Sequence, residues 1–205
     1  MKRVALLIVI TCLAMAGCCK DCKTDGATAK GAGVPGFVVE QAKAGNLLKT
    51  KLYVGLDGSI VKFSAYVKAE ALPDWLPPLA DEKIGKGEFK SGEIEMYEGG
   101  IMAYEITRIV DGKKVELSAD ENQNVLYIER AMAVDELPAE VKAGVDKIEG
   151  FEAAEAESKE YKDKTSYEVE GKLNGSEVEI ELDAKGAIVT QGVEVPGATL
   201  VQTLP

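Results

Sequence analysis

The clearest hydrophobic pattern in the chain is a strict alternation of apolar and acidic residues over positions 176–183. Successive side chains of a strand point to opposite faces, so this pattern predicts a half-buried antiparallel strand with one acidic face. Asn174-Gly175 directly before it favours a type I′ hairpin, in which both central residues take positive φ. We therefore predict neighbouring strands over residues 167–172 and 187–195.

A helical pattern comes before these strands. Apolar residues recur at the spacing of one helical face, at Leu137, Val141, Val145 and Ile148. Pro138 suits a first helical turn and Gly150 suits a helix end. An earlier segment, residues 73–84, has a similar pattern, but Pro77-Pro78 interrupts it. That helix is expected to be short, broken or restarted near Pro78.

The pattern repeats with a period of about 63 residues. Asp57, Asp120 and Asp183 each begin a predicted turn that an apolar pair follows, and Asp111-Gly112 repeats the hairpin signal of Asn174-Gly175. This predicts an α+β fold of tandem repeats, each a helix packed on a small antiparallel sheet. The predicted units are a partial N-terminal copy over residues 36–70 and full copies over 71–134 and 135–205. A unit of about 60 residues buries a marginal core, so the copies are expected to support each other.

The first residues have the pattern of an export signal: a basic start, an apolar run and small residues. The apolar run is shorter than the roughly 20 residues that a membrane-spanning helix needs. Met15-Ala16-Gly17-Cys18 resembles the bacterial lipobox, which implies that Cys18 is lipidated and becomes the first residue of the mature protein when residues 1–17 are removed. An ordinary signal peptide cut near Ala16 is the alternative. The small and polar residues up to position 35 are expected to form a lipidated tether.

The repeat resembles the PepSY-like, β-lactamase-inhibitor-like (BLIP-like) family of bacterial envelope proteins. The residues that carry the resemblance are the helix start Leu137-Pro138, the strand Tyr167-Glu168-Val169, the turn Asn174-Gly175 and the alternating segment 177–186. The resemblance spans roughly residues 71 to 195, with a weaker echo in 36–67. It implies an exported module of a helix and a four-stranded sheet, with protein-binding or inhibitory roles.

The charge and composition of the chain disfavour several kinds of function. The net charge of −11 disfavours nucleic-acid binding, because an acidic chain is repelled by phosphate backbones. The chain contains no histidine, which removes histidine-based triads and zinc sites. The loop that begins at Asp120 has oxygen donors at alternate positions, but Val125 and Ala131 stand where a calcium loop needs Gly and Glu. We therefore expect a polar hairpin turn there, and no enzyme, cofactor or metal site elsewhere.

An acidic sheet face is the best candidate for a functional surface, with two aromatic residues as candidate anchors. The candidate residues are Glu168, Glu170, Glu177, Glu179, Glu181, Trp75 and Tyr127. The sequence predicts a lipid-anchored, non-enzymatic protein of the bacterial envelope, on the periplasmic face or outer membrane. This protein is expected to bind another envelope protein, and inhibition of that partner is the narrower version of the prediction. Two alternatives stay open: small-ligand or calcium binding by the acidic face, and a structural envelope lipoprotein.

Overall fold

The computed structural model describes residues 35–54 and 60–193. The predicted signal peptide, Cys18 and the turn at Asp57 lie outside the described residues. Within them, three α-helices span Gly36–Lys43 (α1), Leu76–Lys83 (α2) and Ala139–Val145 (α3). The ten described strands are Leu47–Val54 (β1), Ile60–Val67 (β2), Glu88–Tyr97 (β3), Met102–Val110 (β4), Lys113–Asp120 (β5), Val125–Met132 (β6), Phe151–Tyr161 (β7), Lys164–Leu173 (β8), Ser176–Asp183 (β9) and Ile188–Val193 (β10).

All ten strands belong to one antiparallel sheet, in the order in which they occur along the chain. The prediction of a small sheet for each repeat is therefore corrected. Val67 of β2 pairs with Gly92 of β3, and Met132 of β6 pairs with Ala156 of β7, so the sheet continues across both predicted unit boundaries. Pairing satisfies the backbone groups that a free strand edge would leave open. The division into residues 36–70, 71–134 and 135–205 stays a prediction.

The hairpin predictions are confirmed. The alternating segment forms β9 with the predicted limits, and its apolar residues are buried. Asn174 and Gly175 have φ values of 53° and 84°, and Asp111 and Gly112 have φ values of 51° and 80°. Positive φ at both central residues is the requirement of a type I′ turn.

The three helices cover one face of the sheet and bury two separate apolar clusters. The first cluster joins α1 and α2 to β2–β6 through residues such as Val38, Phe63, Leu76, Ile106 and Leu117. The second joins α3 to β7–β9 through residues such as Val141, Val145, Val169, Ile180 and Leu182. The sheet is thus apolar on its helix face, and its other face is left to polar residues.

The predicted helix over 137–150 is shorter in the structure. The helix α3 begins at Ala139, so Pro138 is its N-cap and not part of its first turn. Pro138 has an extended ψ of 147°. The helix ends at Val145, and Ile148 continues in a tighter turn that its amide closes on the Val145 carbonyl at 3.0 Å. The earlier helix begins at Leu76, with its prolines in the first turn, where a missing N–H costs no hydrogen bond.

The turns that begin at Asp120 and Asp183 have the same hydrogen bonds. Asp120 Oδ1 accepts from the amides of Asn122 at 2.8 Å and Asn124 at 2.9 Å. Asp183 Oδ1 accepts from the amides of Lys185 and Ala187, both at 2.9 Å. The predicted polar turn at Asp120 is therefore confirmed. Hydrogen bonds lower the pKa of Asp120, above all the one from the Asn124 side chain and then the one from the Asn124 amide.

The sheet curls strongly toward its polar face. In a flat sheet, β1 and β9 would lie about 38 Å apart, at about 4.8 Å between neighbouring strands. In this chain, burial raises the pKa of both Tyr53 on β1 and Glu170 on β8. Glu179 on β9 adds to the rise at Tyr53, and Lys51 on β1 opposes the rise at Glu170. Such effects act over short distances. The polar face is therefore concave, and the helices lie on the convex side.

Within residues 35–54 and 60–193, none of the helices has the length and apolar character that crossing a membrane would require.

Candidate binding face

The concave face carries four buried carboxylates and one half-buried carboxylate at its centre. We call Glu93, Glu95, Glu105, Glu116 and Glu129, which lie on β3–β6, the central carboxylates. Strand register places them side by side: Glu93 is paired with Glu105, and Glu116 is paired with Glu129. Paired residues on one face have Cβ atoms about 5 Å apart, and like charges opposite each other are unfavourable. Other groups must therefore compensate this charge.

Glu105 is the most strongly perturbed of the central carboxylates. Its side chain is buried, and Tyr127 donates its hydroxyl proton to Oε2 at 2.7 Å. Burial raises the pKa of Glu105 well above its usual range, and the neighbouring Glu116 and Glu93 raise it further. The pKa of Glu93 is also raised by burial, although the Ser64 hydroxyl donates to its carboxylate.

Three lysines pair with the remaining carboxylates. Lys62 contacts Glu95 at 2.7 Å, and Lys159 contacts Glu129 at 2.8 Å. Lys114 lies between two carboxylates. Its Nζ is 3.1 Å from Glu116 and 2.8 Å from Glu157. Burial raises the pKa of Glu129 to about 7, with Lys159 acting in the opposite direction.

Tyrosines line the concave face beside these charges. Tyr53, Tyr66 and Tyr97 are half-buried on β1–β3, and Tyr97 donates to Glu95 at 2.9 Å. The ammonium of Lys62 lies 4.2 Å from the ring centre of Tyr53, within cation–π range. Burial raises the pKa of each of the three phenols, so all stay neutral donors at neutral pH.

The predicted acidic residues lie on the same face, on the side nearer to the last strand. We call Glu168, Glu170, Glu177, Glu179 and Glu181 the β8–β9 carboxylates. Glu170 and Glu177 are exposed, whereas Glu168 is half-buried. Burial and, to a smaller extent, the neighbouring Glu179 together raise the pKa of Glu168 to about 9. Carboxylate oxygens of Glu168, Glu170 and Glu179 come within 4.8 Å of one another.

The two aromatic candidates lie on different faces. Trp75 lies on the convex side, where its ring packs edge-on against Tyr104 with ring centres 5.7 Å apart. It belongs to the apolar packing and is not near the acidic residues. Tyr127 does lie on the concave face, with Lys159 4.3 Å from its ring centre, but it is buried. The structure thus brings Tyr127 together with acidic residues and separates Trp75 from them.

Sequence analysis missed the central carboxylates and the three tyrosines. A signal for them exists, because residues 92–96 read Gly-Glu-Ile-Glu-Met, with the same alternation as β9. Ile94 packs in the first apolar cluster, and Glu93 and Glu95 point to the concave face. The alternation predicts two faces for each strand. It does not predict that the polar faces of β1 to β9 curl around a common space.

No protein-family model and no curated protein matches this chain. Among solved structures, the chain is similar to a DUF2874 family protein from Bacteroides ovatus, with 8% sequence identity and a TM-score of 0.47 over 60% of this chain and 87% of that chain. It is similar to a BLIP-like protein from Bacteroides fragilis, with 16% identity and a TM-score of 0.45 over 63% of this chain and 92% of that chain. It is also similar to a DUF2874 family protein from Bacteroides uniformis, with 11% identity and a TM-score of 0.47 over 59% and 88% of the two chains. We infer function from the geometry of this chain.

Proposed function

We propose that this protein is a non-enzymatic binding module whose concave sheet face holds a positively charged part of another envelope protein, and that such binding can inhibit the partner. The observation that carries the proposal is the curl of the sheet, which gathers carboxylates and tyrosines from β1 to β9 on one concave surface. Convergent polar groups on a rigid sheet can fix the orientation of a bound segment.

The charge distribution supports a basic partner. Glu170 and Glu177 on the concave face are exposed, so they are available to meet cationic side chains. Exposed like charges raise the local potential and accelerate association with an oppositely charged partner, in a way that salt weakens. Half-buried tyrosines such as Tyr66 and Tyr97 supply apolar area with a polar end, a combination that protein interfaces favour.

Charge reversal on the two faces tests the proposal. The tagged full-length protein, and a Glu170→Lys/Glu177→Lys variant, are crosslinked in their own envelope and captured for mass spectrometry. A Glu140→Lys/Glu149→Lys variant is the matched control, since both of its residues are exposed and lie on or beside the convex-side helix α3. The partner is then purified and its association with each variant is measured at low and high salt.

We expect one partner that the control variant retains and the concave-face variant loses, with an affinity that falls as salt rises. Equal binding by both variants would place the interface away from the concave face and contradict the proposal. Turnover of an envelope substrate by the purified protein, abolished by the concave-face changes, would overturn its non-enzymatic part.

Cation binding by the β8–β9 carboxylates is the second candidate function. The convergence of Glu168, Glu170 and Glu179 is the observation that favours it. Calorimetric titration with calcium at about 1 mM, the range of extracellular calcium modules, tests this candidate. A Glu170→Gln/Glu179→Gln variant should lose any heat of binding that belongs to these residues.

We also propose that Cys18 is lipidated and holds the protein on a membrane of the bacterial envelope. The support is the resemblance of residues 15–18 to a lipobox behind a short apolar run. Metabolic labelling with a fatty-acid analogue should mark the wild-type protein, and a Cys18→Ala variant should be unlabelled and released from membranes. Labelling that survives in Cys18→Ala would reject this anchor.

A further inference from the structure

We propose that Glu105, Glu116, Glu129 and Ser118 form a binding site for a divalent cation that prefers oxygen ligands, at the centre of the concave face. The site is independent of the protein-binding proposal and is distinct from the β8–β9 carboxylates. Each of the three glutamates offers one carboxylate oxygen, and these oxygens lie within 4.8 Å of one another. Calcium binds oxygens at about 2.3–2.6 Å, so two ligands of one ion lie at most about 5 Å apart. The spacing of the three oxygens fits a single ion.

The buried hydroxyl of Ser118, which has no hydrogen-bond partner, is the second feature that indicates a binding site here. The Ser118 side chain is 0% exposed, and its Oγ is the only buried side-chain polar atom of the described residues that has no hydrogen-bond partner. Register places Ser118 directly opposite Glu105 on β4 and opposite Tyr127 on β6. Glu116 lies two positions earlier on the same strand and therefore on the same face. The buried, unpartnered hydroxyl of Ser118 thus lies on the face of the sheet that carries the three carboxylates, in the position opposite Glu105.

A buried polar group without a partner is costly, and most such groups in proteins find one. The hydroxyl lies beside Glu105, whose nearest strand neighbours on both sides are oxygen-bearing residues, Glu93 and Ser118. A cation among these oxygens would satisfy Ser118 and the carboxylates together.

The distribution of charged residues at the centre of the concave face also favours a bound cation. Lys159 pairs with Glu129, and Lys114 is shared between Glu116 and Glu157. Among the described residues, no lysine or arginine lies within ion-pair distance of Glu105, although it is only 5% exposed. An ionised carboxylate in such a position is strongly unfavourable without a positive partner, so this side chain takes up either a proton or a cation. A bound cation supplies the missing positive charge.

The chemistry of the donors selects the class of ion. All four groups are carboxylate or hydroxyl oxygens, and the chain has no histidine that could favour zinc or copper. Hard oxygen ligands suit calcium, magnesium or manganese, and calcium tolerates the irregular geometry that strands impose. Glu116 keeps 14% of its side-chain accessibility, so the group is open to solvent on one side. An ion can therefore enter from the concave space.

Titration of the full-length protein in detergent tests the site. After treatment with a chelator, calcium, magnesium and manganese chlorides are added separately, and binding is followed by calorimetry and, for manganese, by electron paramagnetic resonance. The variants are Glu105→Gln and Ser118→Ala, of which the second leaves every charge in place. Glu149→Gln is the control, because it removes one exposed carboxylate beside the convex-side helix α3, away from the concave face.

We expect saturable binding of one ion per chain. Glu105→Gln should abolish it, and the control Glu149→Gln should leave it unchanged. Ser118→Ala should weaken it about tenfold, at the lower end of the effect of changing a group around a metal. The readout is the binding itself, so a variant that alters stability is still informative once its circular dichroism matches that of the wild type.

Two results would overturn the proposal. One is the absence of binding at about 1 mM of every ion, the weak end of the range for extracellular calcium sites. The other is binding that Glu105→Gln leaves intact and Glu170→Gln/Glu179→Gln removes, which would assign the ion to the β8–β9 carboxylates. Failure of this site and failure of the protein-binding proposal are distinguishable, because one experiment measures bound ions and the other measures a captured partner.

Discussion

At the scale of single residues, Arg108 joins the sheet to α2 on the convex side. Its guanidinium is 6% exposed and donates to Asp81, to the Gly85 carbonyl at 3.1 Å and to the Pro77 carbonyl at 3.1 Å. The two carbonyls lie near the two ends of α2. Arg108 therefore fixes the helix against β4 through several bonds, of which the ion pair is only one.

The two partners of this ion pair are expected to differ in their effect on stability. Arg108→Met leaves two carbonyls without their donor, and should lower the free energy of unfolding by about 2–4 kcal/mol. Asp81→Asn keeps an oxygen acceptor at a position whose side chain is 41% exposed, and should cost about 1 kcal/mol or less. Urea unfolding followed by circular dichroism measures both. Equal losses would mean that the ion pair, and not the carbonyl bonds, holds the helix.

Glu168 makes the stability of the fold dependent on pH. Its pKa in the folded protein is about 9, against about 4.5 for the free side chain, mainly because of burial and then Glu179. Between these values the folded state holds a proton that the unfolded state has lost, so the free energy of unfolding falls as pH rises. Full stability from this group is present below about pH 4.5 and is lost as pH passes about 9. Glu129, with a pKa of about 7, acts in the same direction.

Replacing Glu168 should therefore flatten the pH profile. We expect the urea midpoint of the wild type to fall from about pH 5 to about pH 9, and that of Glu168→Gln to fall less steeply. Glu177→Gln, an exposed neighbour on the same face, is the control and should keep the wild-type slope. A wild-type midpoint that rises over this interval would contradict the assigned direction.

At the scale of elements, α3 packs on the sheet through two glycines. A Cβ atom at Gly144 would lie 2.3 Å from the Gly186 carbonyl oxygen, and a Cβ atom at Gly186 would lie 2.1 Å from the Glu140 carbonyl oxygen. Gly186 also has a φ of 77°, which side chains other than glycine adopt rarely. The helix and the turn after β9 thus approach with backbone against backbone.

A methyl group at this contact should separate the two elements. Gly144→Ala should lower the free energy of unfolding by about 1–3 kcal/mol, although alanine favours an isolated helix. Gly36→Ala is the matched control, because Gly36 lies in α1 and has no atom within 4 Å of an added Cβ. Thermal unfolding of both variants measures the difference. A Gly144→Ala protein as stable as the wild type would mean that α3 can shift without loss.

The elements most accessible to sequence reasoning are those whose pattern is local. The alternation in β9 and the turn Asn174-Gly175 depend on neighbouring residues alone, and both were predicted correctly. The length of α3 was overestimated, because Ile148 keeps the helical spacing but packs from a tighter turn after the helix has ended. The set of residues on the concave face depends on the curl of the whole sheet. This curl cannot be predicted from a local sequence pattern.

The candidate site could be predicted only in part for the same reason. The acidic side of β9 was evident, and the structure places Glu177, Glu179 and Glu181 with Glu168 and Glu170 on one face. Trp75 was a candidate anchor of the acidic face, but the structure places it in the apolar packing on the convex side. Ser118 lies in an unremarkable strand sequence, and its isolation from any partner is visible only in three dimensions.

At the scale of the whole molecule, one sheet joins two apolar clusters. Ile128 of β6 packs with the first cluster, and Met132 of the same strand packs with the second. Five residue pairs, from Ile128–Glu160 to Met132–Ala156, hold β6 to β7. The described residues from Pro35 onward fall in one compact unit. We therefore expect the two clusters to unfold together.

The single tryptophan makes this coupling measurable. Leu182 is 0% exposed in the second cluster, whereas Trp75 packs against the first. Leu182→Ala should lower the free energy of unfolding by about 2–5 kcal/mol, and the transition seen by Trp75 fluorescence should move as far as that seen by circular dichroism. A fluorescence transition that stays in place while the dichroism transition moves would indicate two independent halves.

The order of the strands also has a consequence for how the chain reaches this structure. Each strand pairs only with the strands before and after it in sequence, so most pairings close a short stretch of chain, whereas the β2–β3 and β6–β7 connections each contain an α-helix. Folds dominated by such local pairings have low contact order and fold quickly for β-rich proteins. The sheet can grow strand by strand from one end, each new hairpin adding to an edge already formed. The central carboxylates come together once β3–β6 have paired, whereas the whole concave face, which reaches from β1 to β9, needs every strand between them.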